Sequence, residues 1–345
     1  MISPPAPIRR VDRAPRLAIR LVAGRSAILA STVVALLLLA ASSASAFDVQ
    51  GHRGARGLAP ENTLAAFRRA LHAGVTTIET DVGVTRDGVV VIAHDRRLNP
   101  ALTRGADGKW LAATGPALRA LSLAELSVYD VGRADPNSSH AKTFPQQVGV
   151  DGERIPTLQA LIDLVQGSDR AVRLNIETKL SPNAPDETPD PATFARAVVD
   201  VIREAGFIDR TTLQSFDWRT LVEAKKIAPG LRTACLTTEG GNGDTVKVGE
   251  AGVSPWNAGL SLAAHGGSVP ALAKAAKCDI WSPFHRNLTP ERLREAHALG
   301  LAVLPWTVNE RADMEALIDA GVDGIITDYP DRLLETLRVK GRTPR

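Results

Sequence analysis

The segment Glu79–Asp95 reads Glu-Thr-Asp-Val-Gly-Val-Thr-Arg-Asp-Gly-Val-Val-Val-Ile-Ala-His-Asp and contains two strand-like runs joined by Asp87-Gly88. This dipeptide favours a two-residue hairpin turn. Pairing outward from the turn sets Asp81 opposite His94, and because side chains alternate faces along a strand, Glu79 shares their side. Two carboxylates and an imidazole on one patch predict a divalent cation beside a proton-transferring histidine. A solvated polar face on an edge hairpin is the alternative for this segment alone.

Outward from this segment, short apolar runs alternate with segments of helical period, a pattern typical of repeated βα units around a parallel sheet. The predicted strands are Val49–Arg53, Thr77–Val82, Val172–Lys179, Thr211–Phe216, Thr233–Leu236, Asp279–Pro283, Val303–Val308 and Gly324–Thr327. The predicted helices between them are Thr63–Ala73, Thr157–Val165, Thr193–Ala205, Arg219–Ile227, Pro290–Ala298 and Ala312–Ala320. Eight such units in about 300 residues predict an α/β fold, a (β/α)₈ TIM barrel, in which Val89–His94 is a hairpin excursion after the second strand.

Two segments depart from the repeat. Arg97–Arg154 is rich in turn residues around a short helical piece at Leu123–Leu126, and Glu239–Ser268 is rich in glycine. Both follow strands on the same rim, where barrel enzymes build their sites. We expect them to be loops that shape access to a substrate, and neither is long enough for a second domain.

The first 46 residues have the pattern of a secretory signal peptide. A basic stretch with six arginines precedes an apolar run, Ala27–Ala40, and the small residues Ala44-Ser45-Ala46 form a cleavage site. This pattern predicts residues 1–46 as a signal peptide, residues 47–345 as one barrel domain, and an exported protein that is periplasmic or secreted. An uncleaved membrane anchor over Ala27–Ala46 is the alternative.

The net charge of the remaining chain argues against one class of partner. The whole chain carries +3, and residues 1–46 hold six arginines against one acid, so 3 − 5 leaves −2 for residues 47–345. The basicity therefore belongs to the targeting segment, and nothing in the rest of the sequence indicates nucleic-acid binding. No stable membrane insertion is expected after cleavage. Cys235 and Cys278 form a disulfide or remain free thiols, and the sequence supports either.

Polar residues at the ends of the predicted strands mark the candidate site. They are His52-Arg53-Gly54, Glu79-Thr80-Asp81, Asn175–Lys179, Gln214-Ser215-Phe216 and Trp306–Asn309. Alternation places Glu177 and Lys179 on one face, so Glu177 can complete an oxygen cage with Glu79 and Asp81. Three carboxylates without a cysteine or a metal-spaced histidine pair favour Ca²⁺ or Mg²⁺ over zinc. A lysine, an arginine and a metal together form a receptor for phosphate.

The sequence resembles the glycerophosphodiester phosphodiesterase family over nearly all of residues 47–345. The matching motifs are His-Arg-Gly-Ala-Arg-Gly-Leu-Ala-Pro-Glu-Asn-Thr at 52–63, Glu-Thr-Asp at 79–81, Asp-Gly at 87–88, His-Asp at 94–95, Glu-Thr-Lys at 177–179, Gln-Ser-Phe at 214–216, Trp-Thr-Val-Asn at 306–309 and Thr-Asp at 327–328. Each motif alone is a weak signal, whereas their order and spacing together are specific.

The resemblance implies a (β/α)₈ fold with a metal on three carboxylates, acid/base catalysis by two histidines and phosphate contacts from two cations. The implied metal ligands are Glu79, Asp81 and Glu177. The implied acid/base pair is His52 and His94, and the implied phosphate contacts are Arg53 and Lys179. For Lys179, a salt bridge to a ligand carboxylate is the alternative role. Trp306 and Phe216 are candidates for packing the alcohol moiety of a substrate, although inward aromatics on barrel strands also serve as core.

The predicted activity is metal-dependent hydrolysis of a small-molecule glycerophosphodiester to an alcohol and glycerol phosphate. One histidine removes a proton from the nucleophile and the other protonates the leaving alkoxide, while metal, Arg53 and Lys179 neutralise the non-bridging oxygens. The sequence does not distinguish which histidine is the base. The nucleophile is water or the neighbouring glycerol hydroxyl, which gives a cyclic phosphate. The alternatives are a phospholipase of the same superfamily that acts on intact lipid, and a non-catalytic binder of polyol phosphates.

Other polar residues have structural interpretations. The segment Pro60–Thr63 is expected to start the first helix through a capping side chain rather than to bind a ligand. Arg56 is expected to be a solvated loop residue in preference to a second anion contact. His140 lies in a loop segment that offers its ring no partner.

Overall fold

The computed structural model describes residues 1–4, 47–247 and 253–344. The chain divides into two units, Met1–Ala44 and Ser45–Arg345. The predicted signal peptide, except for its first four residues, lies outside the described residues and stays a prediction. Within the described ranges, no helix is long and apolar enough to cross a membrane. The second unit contains the barrel.

Nine strands are present in the described part of the chain, and eight of them run parallel in one ring. The strands are β1 (Asp48–Gly51), β2 (Thr77–Val84), β3 (Val90–Ile92), β4 (Arg173–Thr178), β5 (Thr211–Ser215), β6 (Arg232–Thr237), β7 (Ile280–Pro283), β8 (Ala302–Val303) and β9 (Gly324–Thr327). Their spatial order around the ring is β8-β7-β6-β5-β4-β2-β1-β9. This arrangement confirms the predicted TIM barrel.

Hydrogen bonds between the two ends of this order nearly close the ring. The backbone N–H groups of Asp323 and Ile326 donate to the carbonyls of Val303 and Pro305. β8 is shorter than the predicted strand 303–308 because Pro305 has no N–H and interrupts the ladder. The carboxyl ends of the parallel strands therefore meet on one rim, where the sites of TIM barrels lie.

Ten α-helices occur among the described residues. They are α1 (Leu64–Ala73), α2 (Leu123–Leu126), α3 (Ser139–Thr143), α4 (Leu158–Gln166), α5 (Pro191–Glu204), α6 (Trp218–Ile227), α7 (Val269–Ala275), α8 (Pro290–Ala298), α9 (Arg311–Ala320) and α10 (Pro330–Val339). Eight begin after a Ser, Thr or Asp whose side chain accepts a backbone N–H, the preferred N-cap chemistry. Three of these helices, α3, α7 and α10, were not predicted, although the buried Leu333 and Leu337 of α10 carry a helical period.

The main apolar core lies between the ring and the outer helices. Phe67 of α1, Phe194 of α5 and Trp218 of α6 are fully buried there with the apolar side chains of the strands. Burial of this kind stabilises a fold by roughly 25 cal/mol per Å² of apolar surface. Since the core holds the strands from outside the ring, the strand ends on the rim are free to carry polar residues.

The hairpin strand β3 pairs antiparallel with β2 outside the ring, in a register one residue away from the predicted one. Asp81 lies opposite Ala93 and not His94, and the Ala93 N–H donates to the Asp81 carbonyl at 3.0 Å. The turn is a three-residue loop, Arg86–Gly88, in which Gly88 has a φ of 81°. The predicted register was wrong because it assumed a two-residue turn, and adding one turn residue shifts every cross-strand partner by one.

The two segments that depart from the repeat differ in how they are built. Arg97–Arg154 contains α2 and α3 and has its own small core, in which Leu98, Leu118 and Leu126 pack against Val91 of the hairpin. The segment Glu239–Ser268 lies only partly within the described residues. The first segment therefore extends the hairpin into a folded insertion above the rim, rather than an open loop.

Cys235 in β6 and Cys278, which precedes β7, form a disulfide bond. Their Cα atoms are 5.9 Å apart, and the two residues are separated by 43 positions in the chain. The sequence left this pairing open, and the adjacency of β6 and β7 in the ring makes it geometrically accessible. A cross-link over this span stabilises a fold by about 4 kcal/mol in the chain-entropy model.

Candidate active site

Three carboxylates converge where β2 and β4 end on the rim. Glu79 and Asp81 occupy alternate positions of β2, and Glu177 of β4 is the register partner of Asp81. One oxygen from each residue lies within 4.8 Å of the other two. All three side chains are buried. The structure thus brings together the three residues that the sequence predicts as metal ligands.

The geometry of this cluster fits a divalent cation. Two oxygens that each lie about 2.4 Å from a common Ca²⁺ are at most about 4.8 Å apart, which the cluster satisfies. Oδ1 of Asp81 is buried and accepts no hydrogen bond from the described residues. Burial and the negative charge of Asp81 raise the pKa of Glu79 well above its ordinary value, and burial raises the pKa of Glu177 to about 7. An all-oxygen site with unmet negative charge suits Ca²⁺ or Mg²⁺.

Arg53 and Lys179 flank the carboxylates. Lys179 Nζ donates to Glu177 Oε1 at 2.6 Å and lies 3.5 Å from Asp81 Oδ1. Arg53 Nε lies 3.2 Å from Asp81 Oδ2, and the Arg53 backbone N–H donates to Glu79 Oε2 at 2.8 Å. The φ of Arg53 is 50°, a region that costs a non-glycine residue energy and often marks functional turns. Lys179 therefore makes a salt bridge to a candidate ligand carboxylate, which is its alternative predicted role. Arg53 and Lys179 also both border the pocket.

His52 follows β1 and is oriented by an acid that follows β9. Its Nδ1 lies 2.6 Å from Asp328 Oδ1, so the carboxylate accepts the Nδ1–H and Nε2 remains free, 3.9 Å from Glu79 Oε2. Asn309 Nδ2 donates to the second Asp328 oxygen at 2.7 Å. Burial lowers the pKa of His52, although the charge of Asp328 acts in the opposite direction. In the neutral form the ring carries its proton on Nδ1, and Nε2 can accept one.

An aspartate and an asparagine likewise orient His94. Its Nδ1 lies 2.8 Å from Asp95 Oδ1, and Asn99 Nδ2 donates to the second Asp95 oxygen at 2.7 Å. Burial and the positive charges of Arg53 and Lys179 lower the pKa of His94 to about 4. The change of hairpin register does not remove His94 from the site, because the chain leaves β3 before this residue and the imidazole borders the pocket. Both predicted histidines thus have Nδ1 held by an aspartate, and Nε2 has no hydrogen-bond partner among the described residues.

The segment before α1 does more than begin the helix. Thr63 is the N-cap of α1, as predicted. Asn62 Nδ2 also donates to Asp81 Oδ2 at 2.9 Å, and Glu61 Oε1 accepts from Arg53 at 2.6 Å. These two side chains orient a candidate metal ligand and a candidate phosphate contact, a role that the capping interpretation missed.

The predictions for Arg56 and His140 were wrong. Arg56 borders the pocket, where its Nε lies 2.7 Å from Glu61 Oε2 and its guanidinium stacks 4.5 Å above the Phe144 ring. His140 belongs to α3, with Nε2 3.6 Å from Glu61 Oε2 and its ring packed on Phe144. The folded insertion brings α3 against the rim, and this long-range contact has no local sequence signal.

Eight of the nine predicted site residues border one cavity, and the ninth, Asp81, lies buried beside it. Phe216 and Trp306 form an aromatic wall, with their rings edge to face and centroids 5.3 Å apart. Lys179 Nζ lies 6.0 Å from the centre of the Phe216 ring. The cavity therefore has one charged wall and one aromatic wall, which suits a ligand with an anionic group and an organic group.

A second cavity lies between the hairpin and the insertion. Its apolar lining includes Ile92, Leu98 and Ile155, and its polar lining includes Asn99. His94 borders both cavities. The insertion thus shapes the surroundings of one of the two candidate catalytic residues.

Four residues that orient the site had no predicted role: Asp95, Asn309, Asp328 and Gln214. Gln214 Nε2 donates to Glu79 Oε1 at 2.8 Å. An acid directly after a candidate histidine, or directly after the last strand of a barrel, is the signal that indicates Asp95 and Asp328. Gln214 and Asn309 are among the polar strand-end residues that mark the site, but their orienting roles depend on partners from other strands.

Residues 52–332 match the Glycerophosphoryl diester phosphodiesterase family. A glycerophosphodiester phosphodiesterase of Caldanaerobacter subterraneus subsp. tengcongensis is 30% identical over 295 residues, which cover 85% of this chain and 98% of that protein. A crystal structure from Silicibacter pomeroyi DSS-3, provisionally named a glycerophosphoryl diester phosphodiesterase, is 37% identical, with a TM-score of 0.75 over 87% of this chain and 96% of that one. An Oleispira antarctica phosphodiesterase solved with the product sn-glycerol-3-phosphate is similar in fold, at 24% identity and a TM-score of 0.62 over 85% and 97%.

We expect Ca²⁺ or Mg²⁺ to raise the melting temperature more at about pH 8 than at about pH 5. The pKa of Glu177 is raised from 4.5 to about 7 in the folded protein. Between these values the folded state binds more protons than the unfolded state, so this group's contribution to the free energy of unfolding falls as pH rises. A cation that binds the ionised carboxylates offsets that loss. Scanning calorimetry with and without each cation measures the effect.

Glu177→Gln is the control for this measurement. It removes both the titrating group and one candidate ligand, so most of the cation-dependent shift at high pH should disappear. A wild-type shift of equal size at both pH values would contradict the carboxylate site.

Proposed function

Because this chain belongs to the glycerophosphoryl diester phosphodiesterase family, we propose that it hydrolyses glycerophosphodiesters to an alcohol and glycerol phosphate. The observation that carries the proposal is one pocket in which two acid-oriented histidines face two cations and a carboxylate cluster. The Caldanaerobacter relative is named for this activity, and the Oleispira phosphodiesterase binds sn-glycerol-3-phosphate as its product. Both facts support the same substrate class for this chain.

The charges of the pocket support a phosphodiester ligand once a cation is bound. Fully ionised, the three carboxylates with Arg53 and Lys179 sum to −3 + 2 = −1. A divalent cation changes this sum to −1 + 2 = +1, opposite to the single charge of a phosphodiester. When bound to Glu79, Asp81 and Glu177, the cation would supply Lewis-acid stabilisation to a non-bridging oxygen. Arg53 and Lys179 would neutralise the charge that develops on the same oxygens in the transition state.

The two histidines supply the proton transfers. Asp328 and Asp95 fix the tautomers of His52 and His94, so each ring presents Nε2 to the pocket. One histidine acts as the neutral imidazole, whose Nε2 accepts the proton of the attacking hydroxyl. The other acts as the imidazolium, stabilised by the phosphodiester anion, and its Nε2–H is donated to the departing alkoxide oxygen as the P–O bond breaks. The attacking hydroxyl is water or the neighbouring hydroxyl of the glycerol moiety, and attack by the latter gives a cyclic phosphate that water then opens. The aromatic wall of Phe216 and Trp306 would pack the organic part of the diester.

Export of this protein is also a proposal, for which the basic and apolar pattern of residues 1–46 is the first support. The disulfide between Cys235 and Cys278 is the second, since such bonds persist in oxidising compartments. Glycerophosphodiesters outside the cytoplasm would then be the substrates within reach.

A product assay tests the activity directly. The protein should release glycerol phosphate from a panel of glycerophosphodiesters, with activity lost on chelation and restored by Ca²⁺ or Mg²⁺. His52→Ala and His94→Ala should each lower kcat by about 10²–10⁴-fold, because each removes one proton transfer. Cation affinity, measured by calorimetry, should stay near the wild-type value in both variants.

The panel also separates the two alternatives. Turnover of intact phospholipid in preference to the glycerophosphodiesters would favour the phospholipase, and binding of polyol phosphates without turnover would favour the non-catalytic binder. Near-normal turnover in either histidine variant would show that the pair is not catalytic.

Lys179→Met separates the two roles of this lysine. As a phosphate contact that strengthens with developing charge, its loss should reduce kcat and kcat/KM together and leave the melting temperature nearly unchanged. As a counter-ion of Glu177, which it contacts at 2.6 Å, its loss should weaken cation binding and lower the melting temperature. We expect the first result, since Arg53 alone cannot hold a phosphate from two sides. A destabilised variant with unchanged kcat at saturating cation would establish the counter-ion role.

Expression in a bacterial host with an export pathway tests the location. The protein recovered outside the cytoplasm should have the mass of a chain cleaved after Ala46 and, when denatured without reductant, should show no titratable thiol. Retention in the cytoplasm at full length would refute export, and two free thiols in exported protein would refute the disulfide.

A further inference from the structure

The interior of the barrel contains a line of buried amides where apolar branched side chains are usual. Gln50 of β1, Asn175 of β4 and Gln214 of β5 are each at most 2% exposed. They lie between two buried carboxylates, Asp48 near the start of β1 and Glu79 at the candidate metal site. Three polar side chains in this position are costly unless their hydrogen bonds are made.

Hydrogen bonds connect these side chains in an unbroken series. Gln214 Nε2 donates to Glu79 Oε1 at 2.8 Å, and Gln214 Oε1 accepts from Asn175 Nδ2 at 2.9 Å. Asn175 Nδ2 also donates to Gln50 Oε1 at 2.8 Å, and Gln50 Nε2 donates to Asp48 Oδ2 at 2.9 Å. The series thus spans the barrel interior from Asp48 to Glu79.

The direction of every bond in this series is determined by its two ends. An ionised carboxylate only accepts, as Asp48 does and as Glu79 does when it holds a cation, so both glutamines then turn their NH₂ groups outward, towards Asp48 and Glu79. Their oxygens then face inward, and Asn175 satisfies both with the two hydrogens of one NH₂ group. Asn175 Oδ1 is left buried with no hydrogen-bond partner among the described residues. The amide of Asn175 is therefore oriented so that its NH₂ group makes both donations, while its own oxygen makes no hydrogen bond with the described residues.

The upper end of the series restrains a carboxylate. Glu79 Oε1 accepts from Gln214, and Glu79 Oε2 accepts from the backbone N–H of Arg53 at 2.8 Å. Two donors on different oxygens set both the position and the rotation of this group, although Asp81 and Glu177 repel it. Partners of this kind behind a metal ligand commonly determine affinity.

We propose that Gln214, Asn175 and Gln50 are positioning residues that orient Glu79 for a divalent cation, with Asn175 as the double donor that fixes the two glutamines. This inference rests on the proposed metal site. It assigns a function to the barrel interior that extends beyond the pocket residues, since Asn175 and Gln50 do not border the cavity.

Calorimetric titration of the full-length protein with Ca²⁺ tests the proposal. Gln214→Met and Asn175→Leu preserve approximate volume and remove the donors, and each should weaken Ca²⁺ binding by about 10–100-fold. Because both act through the same contact with Glu79, the double variant should bind about as weakly as Gln214→Met alone. The matched control is Ser282→Ala, which removes a fully buried side-chain hydrogen bond from β7 outside this series.

The outcomes separate a positioning role from a structural one. If Asn175→Leu lowers the melting temperature as Ser282→Ala does but binds Ca²⁺ within about twofold of wild type, the proposal is wrong. If Asn175→Leu does not fold, Gln50→Met breaks the series one residue further from the site, and weaker Ca²⁺ binding is again expected. If the wild-type protein binds neither Ca²⁺ nor Mg²⁺, the metal site itself is wrong and this inference falls with it.

Discussion

Three carboxylates confined within 4.8 Å of one another in a buried rim set the electrostatic constraint on which the site depends. Like charges repel strongly where water is excluded, and burial disfavours each charged form in addition. The surrounding side chains reduce this cost in two ways. Lys179 and Arg53 supply positive charge, while Asn62 and Gln214 donate hydrogen bonds to single oxygens. The raised pKa of Glu177, about 7 even beside Lys179, shows that the compensation is incomplete.

Closure of the barrel builds one of the two histidine dyads, and the chain's local sequence builds the other. His52 and Asp328 are 276 residues apart, yet they meet because β1 and β9 are neighbours in the ring. His94 and Asp95 are adjacent in the chain and meet wherever the hairpin is placed. A barrel that failed to close would therefore lose the orientation of His52 before that of His94. The orientation of the proposed catalytic pair thus depends on barrel closure through one member only.

How much the sequence predicts depends on the range of the contact involved. The eight-strand barrel follows from the repeat of strand and helix patterns. The cluster of Glu79, Asp81 and Glu177 follows from alternation along each strand and from the common rim of a parallel barrel. The hairpin register was wrong by one residue because turn length is not determined by an Asp-Gly pair alone. The roles of Arg56 and His140, and the disulfide, depend on packing between distant segments, which no local pattern shows.

The two carboxylates at the ends of the interior amide series show why one end of this barrel is structural and the other functional. Asp48 is buried, but Arg173 and the hydroxyls of Thr76 and Thr77 hold its pKa below the ordinary value. Glu79 is equally buried, and that burial together with repulsion from its neighbouring carboxylates raises its pKa instead. The same fold therefore satisfies one acid fully with its own groups and leaves the other short of positive charge. A deficit of that kind is costly in a protein unless a ligand supplies the missing charge, so it distinguishes the rim proposed to bind a cation from the opposite rim, where the acid is satisfied by the fold.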